Sequence, residues 1–568
     1  MRAPIFAIVF RSVFRPAFPF VFAFLLATTL RSSVGWAQAH NREVTERHAI
    51  VVYTAETHGT LEPCGCTSDP LGDFARVTAL VRKEAGPKKG AVLVDAGGLL
   101  FPPGEIPASR QAAARLRAQF LADQMVKLPF GGMALGASDL ALGTAAVAPK
   151  RLAANLADAP FIEPSHIVEV GKIKIGIVGV ADAEAAAKAG LPLRDASDAA
   201  RAEVSRLRGR GAEVVILLAP VERPMARTLA RTTGADFAIA GKNVGAGMVR
   251  AESVGSAYLL APSEELQRVG RLEIVLRGST TRQSGEPLPD AGGPLQTRER
   301  RAELDAKIVQ LEQDIARWKA DRTSDATYVA SKTRECDELR EERRKLGDGA
   351  WQPPPRGSYF VNNLIPIRRN LPRDPTLSAD MRKLDRAVGQ ANLHTAEPPV
   401  RAEPGRAAYV GDGACVSCHK PAARFWKKTV HAQAWKTLVE VGKEAHDDCV
   451  SCHVTGYGEV GGSSLGYTRG LQDVQCEVCH GPGSIHIEKK GKETPFAGRL
   501  QTPESVCVHC HNEKHSDTFQ YQAYLRDVLG PGHGEDARDK LGDGPTGKGL
   551  RRAGEARAKA ASRHAENR

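Results

Sequence analysis

The stretch Cys476–His486 reads C-E-V-C-H-G-P-G-S-I-H, and its first five residues follow a pattern that occurs four times in the chain. Each copy has two cysteines three residues apart and a histidine directly after the second. The cysteines are Cys415, Cys418, Cys449, Cys452, Cys476, Cys479, Cys507 and Cys510, and the histidines are His419, His453, His480 and His511. Two thiols at this spacing reach the two vinyl groups of one porphyrin, and the next histidine falls beneath the iron. The pattern predicts four c-type haems.

Two other uses of paired cysteines fit this pattern poorly. A zinc ribbon has no need for a histidine after every pair, and a disulfide framework does not impose one spacing four times. Haem attachment uses eight of the 11 cysteines and leaves Cys64, Cys66 and Cys336.

The second ligand of each iron must come from another histidine. His431 lies between Trp426 and Trp435, which can pack on porphyrin faces. His486 follows His480 by six residues, too few to pass round a porphyrin edge, so we expect it to cap a different haem. We predict His431 and His486 as distal ligands. Further candidates are His446, His515 and His533.

The order of these motifs resembles the tetrahaem cytochrome c-554 family. Residues 409–515 contain C-x-x-C-H, H-A-x-A-W, C-x-x-C-H, C-E-x-C-H-G-P-G-S-x-H and C-x-x-C-H in that order. A mostly α haem domain is predicted for residues 409–534. The resemblance implies that closely packed and mostly bis-histidine haems relay electrons there. His431 and His486 match distal ligands of the family. One haem in that family can keep an open face.

An α/β domain is predicted for residues 48–278, because short β-branched runs alternate with Ala- and Arg-rich helical stretches. The predicted strands are Ala49–Tyr53, Ala91–Val94, Ile173–Val180, Val214–Leu218, Phe237–Ala240 and Leu272–Leu276. The clearest helices are Arg110–Lys127 and Asp198–Arg208.

The same region resembles the periplasmic 5′-nucleotidase branch of the calcineurin-like metallophosphatases. The resemblance rests on Thr54–Cys66, Leu71–Arg76, Val92–Gly98, Arg151–Leu156 and Gly171–Val180. It implies a sandwich of two β-sheets flanked by helices.

The metal ligands of that family are largely absent. Its chemistry needs two metal ions held by Asp, His and Asn. The ligand positions read Glu56-Thr57-His58, Gly98, Gly136-Ala137-Ser138, Ala219-Pro220 and Gly241-Lys242-Asn243-Val244. Only His58, with Glu56, keeps a ligating side chain. We therefore expect no metal pair and no phosphatase activity.

The loop after the first strand carries Cys64-Gly65-Cys66, which resembles a Cys-Gly-Cys variant found in a subset of nucleotidase-like proteins. Two thiols one residue apart can close a strained, easily reduced disulfide. A redox pair is one interpretation, and a structural disulfide or a metal bound with His58 are the others. Cys336 is an odd cysteine, either a buried thiol or an intermolecular link.

The remaining segments complete the predicted organisation. Residues 1–39 read as a signal peptide, with an apolar run and small residues before the cleavage point. An uncleaved anchor is the alternative. Residues 297–346 read as a helical hairpin or short coiled coil, 347–408 as a connector and 535–568 as a disordered tail. We expect a periplasmic or secreted protein with no membrane span once the signal is removed.

Composition narrows the function further. The 568 residues carry a formal net charge of +12 but no aromatic-interleaved basic stripe, so no nucleic-acid partner is predicted. Electron transfer to or from a redox partner protein is the leading hypothesis. A multihaem oxidoreductase acting on a small nitrogen or sulfur compound or a disulfide, at an open haem or at Cys64/Cys66, is the second. A nucleotidase is the third. The sequence leaves open whether the chain is an enzyme.

Overall fold

The computed structural model describes residues 45–566, apart from 64, 87–89, 144–149, 158–160, 279–287, 321–325, 347–351, 495–501 and 513. The predicted signal peptide, residues 1–39, lies outside the described residues. Within the described part of the chain, no helix is both long and apolar enough to cross a membrane.

The strand that comes first in the chain lies in the interior of the first of two six-stranded sheets. In spatial order its strands are β12 (Tyr359–Pro366), β11 (Arg268–Arg277), β1 (Glu46–Thr54), β2 (Ala91–Asp95), β3 (Phe130–Ala134) and β4 (Arg151–Leu152). Strands β1 to β4 are parallel, and β11 is antiparallel to both β1 and β12. Because successive side chains point to opposite faces, Val51 and Tyr53 enter the core shared with the second sheet. Ile50 and Val52 pack on the other face, with helices α1 (Phe74–Glu84) and α2 (Ala108–Met125).

The second sheet lies against the first and is mostly parallel. In spatial order its strands are β5 (Ser165–Val170), β6 (Ile173–Gly179), β7 (Val214–Ala219), β8 (Phe237–Ala240), β10 (Ala257–Leu260) and β9 (Glu252–Val254). Its helices are α3 (Ala183–Ala189), α4 (Ala196–Gly209) and α5 (Arg223–Thr233). Strand β7 is buried along its whole length, as its uninterrupted apolar run predicts for a covered parallel strand. The predicted α/β sandwich is confirmed.

Tyr53 joins the strands of the first sheet. Its ring lies over Gly270 of β11, where a Cβ atom would fall 1.9 Å from the ring. Its hydroxyl donates a hydrogen bond of 2.8 Å to the side-chain oxygen of Asn362 on β12. Only a glycine leaves room for this buried ring.

The structure differs from the predicted connector, residues 347–408. This stretch contributes β12 to the first sheet and forms helix α8 (Pro375–His394), whose Leu377 and Met381 enter the core around α1 and α2. The prolines near the start of this stretch lie in a loop, and strand β12 forms directly after that loop. The α/β domain therefore closes only after the helical hairpin.

That hairpin consists of α6 (Gly293–Ala320) and α7 (Ala326–Lys345). Their contact is apolar and includes Leu304, Ile308, Ile315, Val329, Cys336 and Leu339. The haem-motif region is made of short helices. They are α9 (Lys420–Trp426), α10 (Ala434–Val441), α11 (Asp447–Val450), α12 (Cys476–His480), α13 (Ser484–Glu488), α14 (Glu504–Val508) and α15 (Tyr521–Val528).

The predicted disordered tail, residues 535–568, contains two helices, α16 (Glu535–Asp539) and α17 (Gly547–Glu566). Gly554 of α17 lies so close to Ser68 and Thr518 that a Cβ atom would come within 3 Å of each. The side chain of Arg551 donates a 2.8 Å hydrogen bond to the carbonyl oxygen of Cys66. The tail composition resembled that of a disordered segment, but contacts with both domains supply the order that composition alone does not.

Candidate haem-binding site

Each of the four haem motifs lies on one turn of helix. The amide of His419 donates to the carbonyl oxygen of Cys415 at 3.0 Å, and the amide of His511 donates to that of Cys507 at 2.8 Å. The second motif begins on α11, and the third forms α12. A helical turn places residues three apart on the same side, so both thiols of a motif can reach one planar group.

All four motifs open into one cavity of about 3370 Å³. Its lining includes the eight motif cysteines and the four motif histidines. Pockets for ordinary small ligands measure roughly 300–1000 Å³. The volume and the donor set therefore fit several large planar groups attached side by side, as covalent haems would be.

Thiols of different motifs also touch one another. Cys415 of the first motif is in hydrogen-bond contact with Cys476 of the third. Cys452 of the second is in the same contact with Cys510 of the fourth. Groups attached at these sulfurs would lie next to each other.

Two pairs of imidazole rings face each other across the cavity. His419 and His486 have ring centroids 6.1 Å apart and planes 29° from parallel. His431 and His511 are also 6.1 Å apart, at 37°. With metal–nitrogen bonds of about 2.0–2.1 Å, two imidazoles on one metal have ring centres about 6 Å apart. Both spacings fit a single iron between the rings.

His480 of the third motif interacts electrostatically with His533 and with His419. Burial lowers the pKa of His480, and the nearby His533 lowers it further. The His533 ring also packs edge-on against Phe425, with centroids 6.1 Å apart. The structure thus brings His533 to the motif that contains His480.

Several cavity histidines have one ring nitrogen held by a protein oxygen. The Nδ1 contacts are His453 to the Ala434 carbonyl (2.6 Å), His486 to the Glu493 carbonyl (2.5 Å), His533 to the Gly530 carbonyl (3.2 Å) and His511 to the Ser516 hydroxyl (3.2 Å). A metal-binding histidine typically donates its other N–H to such an acceptor, which fixes the ring. Nε2 is then the nitrogen left for iron.

Burial keeps these imidazoles in the form that binds metal. It lowers the pKa of His431 and is the largest cause of the lowered pKa of His511, about 4. Iron is ligated by neutral imidazole, so these rings need lose no proton at neutral pH.

His446 also lines the cavity, but its ring is held by other side chains and backbone groups. Its Nδ1 lies 3.4 Å from a guanidinium nitrogen of Arg117, and its Nε2 lies 3.2 Å from the carbonyl oxygen of Asp385. Both ring nitrogens are therefore engaged with the α/β domain. His515 lines the cavity beside the second motif, where it interacts electrostatically with Cys452.

The two tryptophans around His431 also differ. Trp426 lines the cavity, and its indole N–H donates to the carbonyl oxygen of Val474 at 2.9 Å. Trp435 packs instead in a small core with Leu438 and Val450. Only Trp426 is placed to contact a porphyrin.

The haem-motif region is docked on the α/β domain through helix α2. Arg110 forms an ion pair with Asp447 of α11. Arg117 lies 3.3 Å from Asp448. Exposed ion pairs contribute at most about 1 kcal/mol each, so these contacts fix position more than they stabilise. The cysteines of the second motif follow directly.

The phosphatase-type metal positions hold other interactions. A carboxylate oxygen of Glu56 accepts a 2.9 Å hydrogen bond from the amide of Val244, and Lys242 pairs with Asp182 at 3.1 Å. Among the described residues, no group of three or more His, Cys, Asp or Glu side chains is arranged to hold a metal ion. The residues present do not fit a two-metal centre.

A buried carboxyl pair stands beside this site. Asp139 accepts backbone hydrogen bonds from Gly98, Leu100 and Gly136 at 2.9–3.0 Å. Asp95 accepts from the Thr54 hydroxyl at 2.7 Å. Burial, followed by the charge of Asp139, raises the pKa of Asp95 well above its ordinary value.

The folded wild-type protein is expected to lose stability as pH rises, and Asp95→Asn is expected to remove this loss. Between the unfolded pKa of about 3.9 and the higher folded pKa, the folded wild type holds a proton that the unfolded chain releases. Its stability therefore drops through this window, by about 1.4 kcal/mol per unit of pKa difference. Urea unfolding of both proteins from about pH 4 to about pH 8 measures the difference. Asp123→Asn, at an exposed site, is the control. A constant difference at every pH would contradict a protonated Asp95.

The Cys-Gly-Cys loop is described only in part, because Cys64 lies outside the described residues. Cys66 lines the large cavity. The amide of Ser68 donates a 2.9 Å hydrogen bond to Asp517, and Lys514 pairs with Glu265 at 2.6 Å. The loop therefore borders the segment that follows the fourth motif.

Several residues at this site were missed by sequence reasoning. They are Arg110, Arg117, Glu477, Glu493 and Ser516. The sequence carries a signal only for Glu477, which stands where the other three motifs have Val416, Val450 and Val508. The others are known only from their contacts in the folded chain.

Comparison with known proteins supports the C-terminal assignment. Residues 414–481 match the family model for cytochrome c554 and c-prime. The predicted resemblance is confirmed over this segment, which contains the first three haem motifs. A curated relative, cytochrome c-554 of Nitrosomonas europaea, is 38% identical over 18% of this chain and 58% of its own length. The match thus spans less than two thirds of that relative.

Solved structures are similar to both parts of the chain. The 5′-nucleotidase precursor of Thermus thermophilus is 16% identical over 70% of this chain and 68% of its own, with a TM-score of 0.40. Reduced cytochrome c554 of Nitrosomonas europaea is 28% identical over 24% of this chain and 79% of its own, with a TM-score of 0.16. At scores this low, the assignment of the fold rests on the strand order itself.

Proposed function

We propose that this chain is an exported c-type cytochrome that carries electrons through four covalently bound haems. One observation carries the proposal: the cavity is lined by all eight motif cysteines and all four motif histidines. The family match accounts for three of the four motifs. The fourth has the same sequence pattern and opens into the same cavity.

The ring geometry supports a specific ligand set. His486 would cap the haem held by His419, and His431 the haem held by His511. For the haem of His480 the candidate is His533, on the electrostatic interaction between the two histidines and not on ring geometry. His515, which interacts electrostatically with Cys452, is the candidate for the second motif. The haem of that motif is the one to test for an open face.

Bound haem supplies a one-electron centre at each motif. The two cysteines of each motif would hold one porphyrin by thioethers. The carbonyl oxygens of Ala434, Glu493 and Gly530 and the hydroxyl of Ser516 would orient four of the imidazole rings. Because the sulfurs of different motifs lie side by side, haems attached there would be neighbours, as electron transfer between them requires. A periplasmic redox protein is the expected partner.

The α/β domain would serve as a docking scaffold without hydrolysing phosphate esters. Support comes from the replaced metal positions, where Glu56 and Lys242 are engaged with protein groups. A second function, oxidoreduction at Cys64/Cys66, is favoured by the position of Cys66 on the cavity wall.

The test is a set of spectra of the full chain exported from a host that matures c-type cytochromes. Reduced protein is expected to show c-type bands corresponding to four haems per chain. Bands that carbon monoxide leaves unchanged would support the relay, and a shifted fraction would support an enzyme with an open haem. A chain without covalent haem would refute the proposal.

Reductive titration of the same protein separates the second function from the first. Four haems take up four electrons. A disulfide between Cys64 and Cys66 would take up two more, with two protons, to give two thiols. An uptake of four electrons by protein whose two thiols are shown to be oxidised would exclude a redox role for the pair.

A further inference from the structure

Glu477 is a buried carboxylate inside the third haem motif. Its side chain is part of a residue only 2% exposed. One oxygen accepts hydrogen bonds from the amides of Gly483 (2.7 Å) and Val410 (3.0 Å). The other accepts from Gly411 (2.7 Å) and again from Val410 (3.1 Å).

These donors belong to separate segments of the haem region. Val410 and Gly411 precede Cys415 of the first motif, and Gly483 precedes His486, whose ring faces His419. Glu477 itself lies between the two cysteines of the third motif. One carboxylate thus joins the attachment sites of the first and third haems to the segment of a distal histidine.

A neighbouring side chain strengthens the same junction. The amide oxygen of Gln475 accepts a 2.8 Å hydrogen bond from the backbone of Asp412. Its amide nitrogen donates to the carbonyl oxygens of Gly470 and Gln472. Gln475 therefore also ties the segment before the first motif to the segment before the third. Glu477 is not the only side chain that holds these two segments together.

The charge of Glu477 is held by backbone dipoles. Among the ion pairs of the described residues, none involves this side chain. All of its hydrogen bonds are donated by backbone N–H groups, so both carboxylate oxygens act as acceptors. A negative charge in a site of low dielectric acts strongly on nearby groups. Oxidised haem carries one more positive charge than reduced haem, so the carboxylate favours oxidation and lowers the reduction potential.

We propose that the buried charge of Glu477 holds down the reduction potentials of the first and third haems. The inference rests on the proposed haem attachment. The proposal divides the four haems into two pairs with different sensitivity to this charge. The reason is that the carboxylate contacts only the segments of the first and third motifs.

The test is Glu477→Gln in the full, haem-loaded chain, followed by spectroscopic redox titration. Two of the four potentials are expected to rise, and the other two to stay at their wild-type values. Glu488→Gln is the matched control, because it removes the same charge from an exposed side chain two residues after His486. It should leave all four potentials unchanged.

Glu477→Asp separates charge from geometry, since it keeps the charge on a shorter side chain. Its potentials are expected near those of the wild type. The proposal is overturned if Glu477→Gln binds four haems with unchanged potentials, if all four rise together, or if Glu477→Asp shifts them as far as Glu477→Gln. Fewer than four haems in both variants would show a role in assembly and also overturn it. Absence of haem from the wild type would instead refute the proposed function.

Discussion

Replacing Cys507 and Cys510 together by alanine is expected to lower the covalently bound haem from four per chain to three. These cysteines form the fourth motif, which lies beyond the family match at residues 414–481. Without thioether bonds, no covalent link holds a porphyrin at this site. Intact mass of the exported chain and haem content per polypeptide give the count directly.

Cys336→Ala is the matched control for this double variant. Cys336 is a buried cysteine outside the four motifs, packed between α6 and α7. Its replacement should leave four haems in place. A wild-type chain with three haems, or a double variant that retains four, would contradict the assignment of the fourth motif.

His486→Ala is expected to open the first haem to carbon monoxide. The ring of His486 faces that of His419 at 6.1 Å, so its removal would leave one iron with a vacant position. The carbon monoxide-reactive haem should rise by one quarter of the total, as one of four motifs is affected. Added imidazole should reverse the change. Reduced-minus-carbon monoxide difference spectra measure it.

His446→Ala separates ligation from general disturbance of the fold. Both ring nitrogens of His446 contact Arg117 and Asp385, so its loss should weaken docking between domains without exposing an iron. Equal carbon monoxide reactivity in the two variants would show that His486 does not cap a haem.

Much of the α/β domain was predictable from local pattern. The run Val214–Leu218 became β7 with one added residue, and Phe237–Ala240 became β8 without change. These strands are buried on both faces, so their sequences are continuously apolar and easily recognised. Strand β12 was missed because Y-F-V-N-N-L-I-P mixes polar and apolar residues after a proline-rich loop. Its pairing with β11 decides its structure.

The haem site divides in the same way. Spacing alone predicted the attachment cysteines and proximal histidines, because one porphyrin imposes a fixed short-range geometry. The same reasoning offered His446 as a distal candidate, yet in the fold it contacts α2 and α8. The residues next to a single histidine in the sequence do not indicate which group its ring will contact in the fold.

The sequence by itself determined the four Cys-x-x-Cys-His motifs and the two-part architecture, and it predicted that the phosphatase-type metal ligands are largely absent. Each depends on residues close together in the chain. Only the tertiary structure decided which histidine faces which, how Glu477 joins two motifs, and that Cys66 lines the cavity shared by the four motifs. These contacts join segments tens to hundreds of residues apart, and the packing of the whole chain sets their distances.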